Sequence, residues 1–463
     1  MARWALLGAL ADMSASMPLF GQTPSRRLRE FNVLDFGATG DGITLDSPAF
    51  QRAIDAAAGA GAGSRVIVPG SRRYVSGKLV LRTGIEFHLA DDAELLASTR
   101  PEDYGADRAL LTSHASAGLK ITGTGRINGR SREFMTRYDP AGEWWVPGAF
   151  RPQLVMFTGC RDLVVHGITF FHAPAWTLHL VGCENVLVDS VTIRNELDVP
   201  NCDGIDPDHC RNVEIRNCDI TCGDDAIVVK ATRSNAAYGG SSSIHVHDCV
   251  IETRDSGVKI GTETVGEIED VRFERCDIKS SSRACTIQLR DEGNIRNVVF
   301  RDIKFTARYN ADPWWGRGEA ISFTAIPRAP GARLGRISGV RAENVSGRAE
   351  NSARISGCPE SRISDVVFEN VALVLDRWTK YPGGVWDNRP TSAYAALEAH
   401  STTGIHVRQA DNVILRGCRV AWGQNRPDYF THALEAQSVT GLSYTDFHGD
   451  AAHPDRQAAI HIA

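Results

Sequence analysis

The sequence predicts an all-β protein, a right-handed parallel β-helix (solenoid) with a capping helix at its N-terminal end. Two observations lead to this fold class. Short segments of alternating apolar and polar residues recur from about residue 160 onward, as in strands with one buried face. A fixed period of this length indicates a solenoid, in which each unit buries its apolar face against the next unit. The leading apolar residues stand 27, 31, 27 and 27 residues apart, at Val186, Val213, Ile244, Val271 and Val298.

The first part of the chain supplies the cap. A turn-rich segment is followed by a helix start signal at Asp46, and Phe50, Ala53 and Ile54 then recur at helical spacing. A single amphipathic helix ahead of a solenoid covers an edge that would otherwise be open. We therefore expect residues 26–463 to form one β-helix catalytic domain.

The spacing of the repeats widens later in the chain. The gaps between Val298 and Val340 and between Val366 and Val413 are longer than those before them. Insertions in a solenoid are typical of long loops over one face, where function is usually carried. The sequence therefore predicts long loops above one face of the later coils.

Composition excludes several classes of protein. With 42% hydrophobic residues, 23% charged residues and a net charge of −5, the chain is ordinary for a globular protein. No basic run indicates nucleic-acid binding, and no apolar stretch approaches the roughly 20 residues of a membrane-spanning helix. The eleven cysteines include no Cys-x-x-Cys pair. Cys218, Cys249, Cys276 and Cys418 fall at one position of the repeat, which predicts a ladder of buried free thiols.

Two successive units carry the acidic motifs Asn-Cys-Asp and Gly-Asp-Asp in equivalent regions. If the units stack, Asp203, Asp224 and Asp225 meet on one face. Clustered carboxylates raise one another's pKa, which costs stability but can supply a protonated acid beside an ionised base. A lone Asp-Asp pair would be a turn feature, whereas this paired pattern indicates catalytic residues. Asp206 and Asp208, close by, are expected to be corner or rim residues.

These motifs resemble those of glycoside hydrolase family 28, the polygalacturonases and related pectin-degrading enzymes. The resemblance extends from Phe31 to about Val420, and its most specific part is Asn-x-Asp followed one coil later by Gly-Asp-Asp. Two family motifs are replaced. The family histidine of a Gly-His-Gly turn falls on Asp255 or Ser256. The Arg-Ile-Lys that grips the substrate carboxylate is replaced by Thr-Ile-Gln-Leu-Arg, which ends at Arg290.

The resemblance implies an inverting hydrolase of α-linked pectic polysaccharides or oligosaccharides that needs no cofactor and no metal. Asp224 would be the general acid, while Asp203 and Asp225 would bind and activate water. Neighbouring strand residues point to opposite sides, so Gly223 would have to turn the backbone for both acids to reach the surface. Lys230 is expected to be a charge on a strand face or at the core edge. Further candidates for substrate binding are Asn201, His179, His209, Arg254, Lys259, Arg290 and Trp315.

Two other functions stay open. A lyase or epimerase on the same scaffold would hold calcium between Asp203, Asp224 and Asp225 and would use Lys259 as base. Calcium dependence of the activity separates it from a hydrolase. The third function is a non-catalytic glycan-binding solenoid, favoured by the replaced histidine and Arg-Ile-Lys motifs. β-Helices carry several functions, so the fold alone does not decide among them.

The N-terminus resembles a short signal peptide, with a basic residue, an apolar run and small residues, although Asp12 interrupts it. We expect a leader over residues 1–25 and a secreted or periplasmic monomer. Its expected partner is a polysaccharide or oligosaccharide, with no nucleic acid and no membrane. Loops at residues 305–335 and 375–405 would favour cleavage from a chain end if they close one end of the groove.

Overall fold

The computed structural model describes residues 29–463 as a right-handed parallel β-helix, which confirms the predicted fold class. The coils build three parallel faces, which we call the site face, the second face and the third face. The predicted leader, residues 1–25, lies outside the described residues. Within residues 29–463, no helix has the length and apolar character needed to cross a membrane.

The site face contains the strands Leu79–Val80, Ala109–His114, Gln153–Thr158, Leu178–Val181, Ile205–Asp208, Ile227–Ala231, Ser256–Thr264, Arg283–Leu289, Glu319–Ala325, Asn351–Ser356 and Ile460–Ile462. The second face contains the strands Arg29–Asn32, Ser64–Val68, Ile85–Leu89, Lys120–Gly123, Arg161–His166, Glu184–Asp189, Arg211–Arg216, Ser241–His247, Ile268–Glu274, Ile295–Arg301, Ile337–Glu343 and Ile363–Glu369. Two long strands bend from the site face into the second face, Ile405–Arg416 and Leu434–Thr445.

The third face contains the strands Asp41–Leu45, Arg72–Ser76, Ala93–Ala97, Arg126–Asn128, Thr169–Phe171, Thr192–Arg194, Asp219–Cys222, Val250–Thr253, Asp277–Ser281, Lys304–Ala307, Ser346–Ala349, Ala372–Leu375 and Arg419–Trp422. Two antiparallel hairpins stand outside the coils, Met135–Asp139 with Trp144–Pro147 and Val385–Asp387 with Leu397–Ala399. The helices are the α-helix α1 (Ser47–Gly59) and the 3₁₀ turns Val33–Phe36, Pro101–Asp103, Ser131–Phe134 and Arg233–Tyr238.

The leading apolar residues of the repeat pair in register and point into the core. The predicted positions form one ladder on the second face, Val186, Val213, Ile244, Val271 and Val298. The ladder continues across both wide gaps through Val340, Val366 and Val413. The repeat period and the position of the insertions are therefore confirmed.

Asparagine and aspartate shape a corner of each coil. Asn185, Asn212, Asp270 and Asn297 all adopt φ between 54° and 57°, in the left-handed region that these short polar side chains tolerate. Their side chains also bond between coils, and Asn212 Nδ2 donates to Asn185 Oδ1 at 2.7 Å. These two properties explain why Asn or Asp precedes the leading apolar residue in so many repeats.

The cysteines are a buried ladder rather than a disulfide framework. All eleven are free and buried. Cys218, Cys249 and Cys276 directly precede residues that pair in register on the third face, so their side chains stack in the core. Val191 holds the same position one coil earlier and Cys418 in a later coil. The predicted role of cysteine as a small core hydrophobe is confirmed.

The N-terminal cap is formed by α1, as predicted. Phe50 and Ala53 are fully buried, and the Phe50 ring packs edge-on against Tyr74 at 5.3 Å between centroids. Asp46, which signals the helix start, does not cap the helix with its side chain. Its carboxylate instead accepts hydrogen bonds from Thr39, from N at 2.7 Å and from Oγ1 at 2.8 Å. The residue therefore fastens the preceding segment to the start of α1.

Three excursions from the coils rise above the site face. We call them the hairpin 135–147, the loop 308–318 and the insert 376–404, which carries the second hairpin. The last two lie within the long loops predicted from the sequence, and both contact site-face strands.

The excursions are locked together around Glu143 of the hairpin 135–147. Its carboxylate lies 2.6 Å from Lys380 Nζ and accepts a hydrogen bond from Tyr381 Oη at 2.7 Å. The neighbouring Trp144 ring packs edge-on against Trp314 of the loop 308–318, at 5.8 Å between centroids. The space above the site face is thus walled by segments from three distant parts of the chain.

Candidate active site

Stacking of two coils brings the predicted acids together. One carboxylate oxygen from each of Asp203, Asp224 and Asp225 lies within 4.8 Å of the others. The backbone bends at Gly223, as expected, so that both following aspartates face the same space. The glycine is required by a close approach, since a Cβ there would lie 2.1 Å from the carbonyl oxygen of Val199.

Two lysines lie among these acids. Lys259 Nζ donates to Asp225 Oδ2 at 2.6 Å, and both side chains are 3% exposed. Lys230 Nζ lies 3.6 Å from Asp203 Oδ2 and 3.6 Å from Asp206 Oδ1. Buried carboxylates are tolerated when they are paired in this way. The lysines therefore balance part of the negative charge that the two acidic motifs concentrate.

The environment separates the pKa values of the acids. Burial, followed by the charges of Asp203 and Asp225, raises the pKa of Asp224 to about 7. Burial, followed by the charge of Asp206, raises the pKa of Asp203 well above its ordinary value. Burial also acts to raise the pKa of Asp225. The charges of Lys259 and Lys230 outweigh this effect and lower the pKa of Asp225. A protonated acid and an ionised base therefore stand side by side.

Hydrogen bonds fix the orientation of Asp224. Its Oδ2 accepts from the backbone N of Asn201 at 3.0 Å, and its Oδ1 accepts from the backbone N of Asp225 at 2.9 Å. Arg151 donates to Asn201 Oδ1 at 2.9 Å and to the carbonyl of Pro200 at 2.8 Å. Arg151 therefore supports the segment that holds the acid, and no motif in the sequence marks it.

The acids and lysines line a cavity of about 370 Å³. This volume is near the lower end of the range of about 300–1,000 Å³ for ligand cavities. Aromatic walls rise around the polar floor, contributed by Trp144, Trp176, Trp314 and Trp315. The site thus combines an acid, a base and apolar ring faces in one small space.

Comparison with known proteins assigns the family. The model of the Glycosyl hydrolases family 28 matches residues 60–311, more than half of the chain. The chain belongs to glycoside hydrolase family 28. It is an O-glycosyl hydrolase.

A probable polygalacturonase from Vitis vinifera is 28% identical over 385 residues, which are 76% of this chain and 75% of that protein. The exopolygalacturonase of Thermotoga maritima has a TM-score of 0.65 and 22% identity, with 85% of this chain and 92% of that chain covered. The family 28 exopolygalacturonase of Yersinia enterocolitica has a TM-score of 0.66 and 18% identity, with coverages of 91% and 78%. At these identities the two structures establish a common fold.

Three of the predicted substrate-binding residues line the cavity of this family 28 protein, namely Asn201, Lys259 and Trp315. Arg254 is placed behind the wall, where it donates to the carbonyl of Glu143 at 2.6 Å and lies 5.4 Å from the Trp314 ring centroid.

The remaining predicted binding residues do not reach the cavity. His179 packs behind Trp176, with Nε2 at 3.3 Å from Asp208 Oδ2. His209 is fully buried, and its ring nitrogens face the carbonyl oxygens of Gly239 and Thr232. Arg290 is buried under the insert 376–404. The sequence predicts that these three residues bind substrate. The structure instead places them in buried positions that do not line the cavity.

Two nearby aspartates also differ from expectation. Asp206 and Asp208 are fully buried in a site-face strand rather than placed at a corner or rim. Burial, opposed by Lys230, raises the pKa of Asp206 to about 7. Burial also acts on Asp208, but its hydrogen bonds, first from His179 and then from Thr232, lower its pKa to about 2. No motif in the sequence marks the contacts of Asp206 or those of Asp208.

The position of the missing family histidine carries a further acid. Asp255 lines the cavity, and burial followed by the charge of Asp225 raises its pKa well above the ordinary value. Ser256 is next to it, and its backbone N donates to Asp225 Oδ1 at 3.3 Å. Asp255 is a cavity residue to which sequence reasoning gave no role.

Proposed function

We propose that this hydrolase cleaves α-glycosidic bonds of a pectic-type polysaccharide or oligosaccharide and inverts the anomeric carbon. The observation that carries the proposal is the meeting of Asp203, Asp224 and Asp225 in one cavity with separated pKa values. The polygalacturonase relatives support the pectic class of substrate. Such a substrate agrees with the secreted or periplasmic location expected from the sequence.

The roles follow from the geometry. Asp224 holds its proton near neutral pH and gives it to the leaving glycosidic oxygen. Asp225, kept ionised beside Lys259, accepts a proton from the attacking water. Asp203 holds the same water, because oxygens up to 4.8 Å apart can both bond to one molecule at about 2.7–2.8 Å each.

The spacing of the acids makes the stereochemistry a sharp test. Inverting enzymes usually separate acid and base carboxyl groups by roughly 6.5–9.5 Å, and retaining enzymes by about 5–5.5 Å. The nearest oxygens here are within 4.8 Å. Inversion is proposed because two carboxylates are available to hold water, which leaves neither of them committed as a nucleophile.

The test is the release of reducing sugar, with EDTA present, from polygalacturonate, rhamnogalacturonan and neutral α-glycans. Asp224→Asn should lower the rate on the preferred substrate by about 10²–10⁴-fold, the usual contribution of a general acid. Asp219→Asn, which changes a half-exposed aspartate on the third face, is the matched control and should keep the wild-type rate. Equal rates for the wild type and Asp224→Asn would exclude the proposed acid.

A calcium-dependent lyase or epimerase is the second candidate, because three clustered carboxylates offer the oxygen ligands that calcium takes. Lys259, which would be its base, is committed to Asp225 at 2.6 Å. This contact favours hydrolysis. Activity that requires calcium and yields unsaturated products would favour the lyase.

A further inference from the structure

We infer that the cavity binds an uncharged sugar at the end of the glycan chain. The sugar next to the cleaved bond would carry no carboxylate, and the glycan would leave the cavity on one side only. This inference rests on the proposed hydrolysis and adds the class of sugar and the mode of cleavage.

The first argument is the absence of a free cation in the lining of the cavity. Among the described residues, the basic side chains of the lining are Lys230 and Lys259. Lys259 is paired with Asp225, and Lys230 lies between Asp203 and Asp206. A uronate would therefore bring a further carboxylate to a place where both ammonium groups already have acidic neighbours. A buried carboxylate without a cationic partner is strongly unfavourable.

Protonation of the acids leaves both lysines in contact with the protein. Lys259 stays paired with Asp225, whose pKa is lowered, and Lys230 Nζ lies 4.6 Å from the centroid of the Trp176 ring. The lining contains five acids, namely Asp203, Asp224, Asp225, Asp255 and Glu263. The pKa values of Asp203, Asp224 and Asp255 are raised, so these three can be neutral while the enzyme works. An uncharged sugar meets no such conflict.

Two arginines stand behind the walls and are engaged there. Arg151 donates to the backbone carbonyls of Pro174 and Pro200 at 3.2 and 2.8 Å. Arg254 donates to a hairpin carbonyl and stacks over Trp314. Neither side chain lines the cavity.

The second argument concerns the next coils of the site face, where the insert 376–404 covers three arginines. Arg283, Arg290 and Arg354 are at most 1% exposed. Arg283 donates to the carbonyl of Asp387 at 2.9 Å. Arg290 donates to the carbonyl of Asn388 at 3.3 Å, and Arg354 donates to the Oδ1 of Asn388 at 2.8 Å. The insert thus hides the cations of this face and occupies the path that a longer glycan would follow.

The replaced Arg-Ile-Lys motif agrees with this reading. Thr286 and Gln288 stand in its place on the strand Arg283–Leu289, and both are buried. Neither residue carries a charge that could hold a carboxylate.

The insert 376–404 is also fixed to the cavity wall. Gly316 N donates to Asp387 Oδ2 at 2.9 Å, and Arg389 Nη2 donates to the carbonyl of Trp314 at 2.9 Å. These two contacts join the insert 376–404 to the loop 308–318 on the side of the later coils, and this is the side on which the inferred glycan ends.

The experiment compares polygalacturonate with the same polymer after chemical reduction of its carboxyl groups to hydroxymethyl groups. The two substrates differ only at C6, so the ratio of kcat/KM isolates the carboxylate. Rhamnogalacturonan, which contains both acidic and neutral sugars, is digested in parallel, and the first products are identified by anion-exchange chromatography. Only wild-type enzyme is needed, with Asp224→Asn as the blank.

We expect kcat/KM to be at least tenfold higher on the reduced polymer, about 1.4 kcal/mol, or single neutral sugars as the first product of rhamnogalacturonan. Preference for native polygalacturonate, release of galacturonic acid, or mixed oligomers from the start would overturn the inference. If the wild type gives one of these contradicting results and Asp224→Asn releases nothing, the proposed hydrolysis is supported and the inference about the sugar is rejected. Release of nothing from any of the polymers contradicts the proposed hydrolysis and the inference together.

Discussion

Replacement of Asp224 by asparagine should stabilise the fold at neutral pH while it removes hydrolysis. The pKa of this group is 3.8 in its ordinary state and about 7 in the folded protein. Between these values the unfolded chain has lost the proton that the folded chain keeps, so the stability of the wild type falls as pH rises. Three pKa units at about 1.4 kcal/mol each give about 4 kcal/mol. This is an upper bound, because Asp224 is partly exposed and water screens its charge.

Part of this gain is lost again in the variant. Asp224 accepts two backbone hydrogen bonds, from Asn201 and Asp225, with one oxygen each. An asparagine amide has a single acceptor oxygen, so one of the two bonds is lost, at about 1 kcal/mol. The net expectation is a variant up to about 3 kcal/mol more stable than the wild type at pH 8, and about 1 kcal/mol less stable at pH 4.

Urea unfolding of both proteins at pH 4 and pH 8 measures this difference. Asp208→Asn is a control of opposite sign, because the folded-state pKa of Asp208 is lowered to about 2. Its ionised form contributes about 2 kcal/mol above pH 4, a stability that is lost as pH falls toward 2. A difference between wild type and Asp224→Asn that is the same at pH 4 and pH 8 would show that the pKa of Asp224 is not raised. The assignment of Asp224 as the acid would then lose its basis.

Four further outcomes can be checked. Initial rates should fall as pH rises through about 7, where Asp224 loses its proton, and a flat profile to pH 9 would contradict this role. Proton NMR of the first product should show the inverted anomer, whereas retention would make one carboxylate a nucleophile. Lys259→Met should raise the pKa of Asp225 and move the acidic limb of the rate profile upward, and an unmoved limb would count against the pair. Thermal unfolding should be insensitive to reductant. Cys249→Ser should lower the free energy of unfolding by about 1–3 kcal/mol more than Cys249→Ala, because it buries an unpaired hydroxyl, and equal losses in the two variants would argue against an apolar ladder.

The stacked part of the molecule could be predicted from the sequence because a solenoid copies one local geometry along its axis. Stacking of two similar units places Asp203 beside Asp225 without knowledge of any contact beyond the neighbouring coil. The covering segments obey no such period. Glu143 and Tyr381 bond across 238 residues, and Arg290 is buried under Asn388, which is 98 residues further along the chain. The sequence alone therefore predicts an exposed binding position for Arg290, which the insert 376–404 buries.

The lysines show the same limit on a smaller scale. Lys230 follows the acidic motif on the next strand, and its alternating position gives only its face. Its place between Asp203 and Asp206 depends on the distance between adjacent coils, which the sequence does not record. The sequence therefore identified the acids but not the cations that balance them.

The contacts around Glu143 have a consequence for how this scaffold can change its substrate. A chimera that receives one excursion from another β-helix would leave Lys380 and Tyr381, or Glu143 itself, without their partners. Three segments therefore depend on one another, namely the hairpin 135–147, the loop 308–318 and the insert 376–404. Transfer of a new substrate range into these coils requires exchange of all three segments together, while the coils and the three aspartates stay in place.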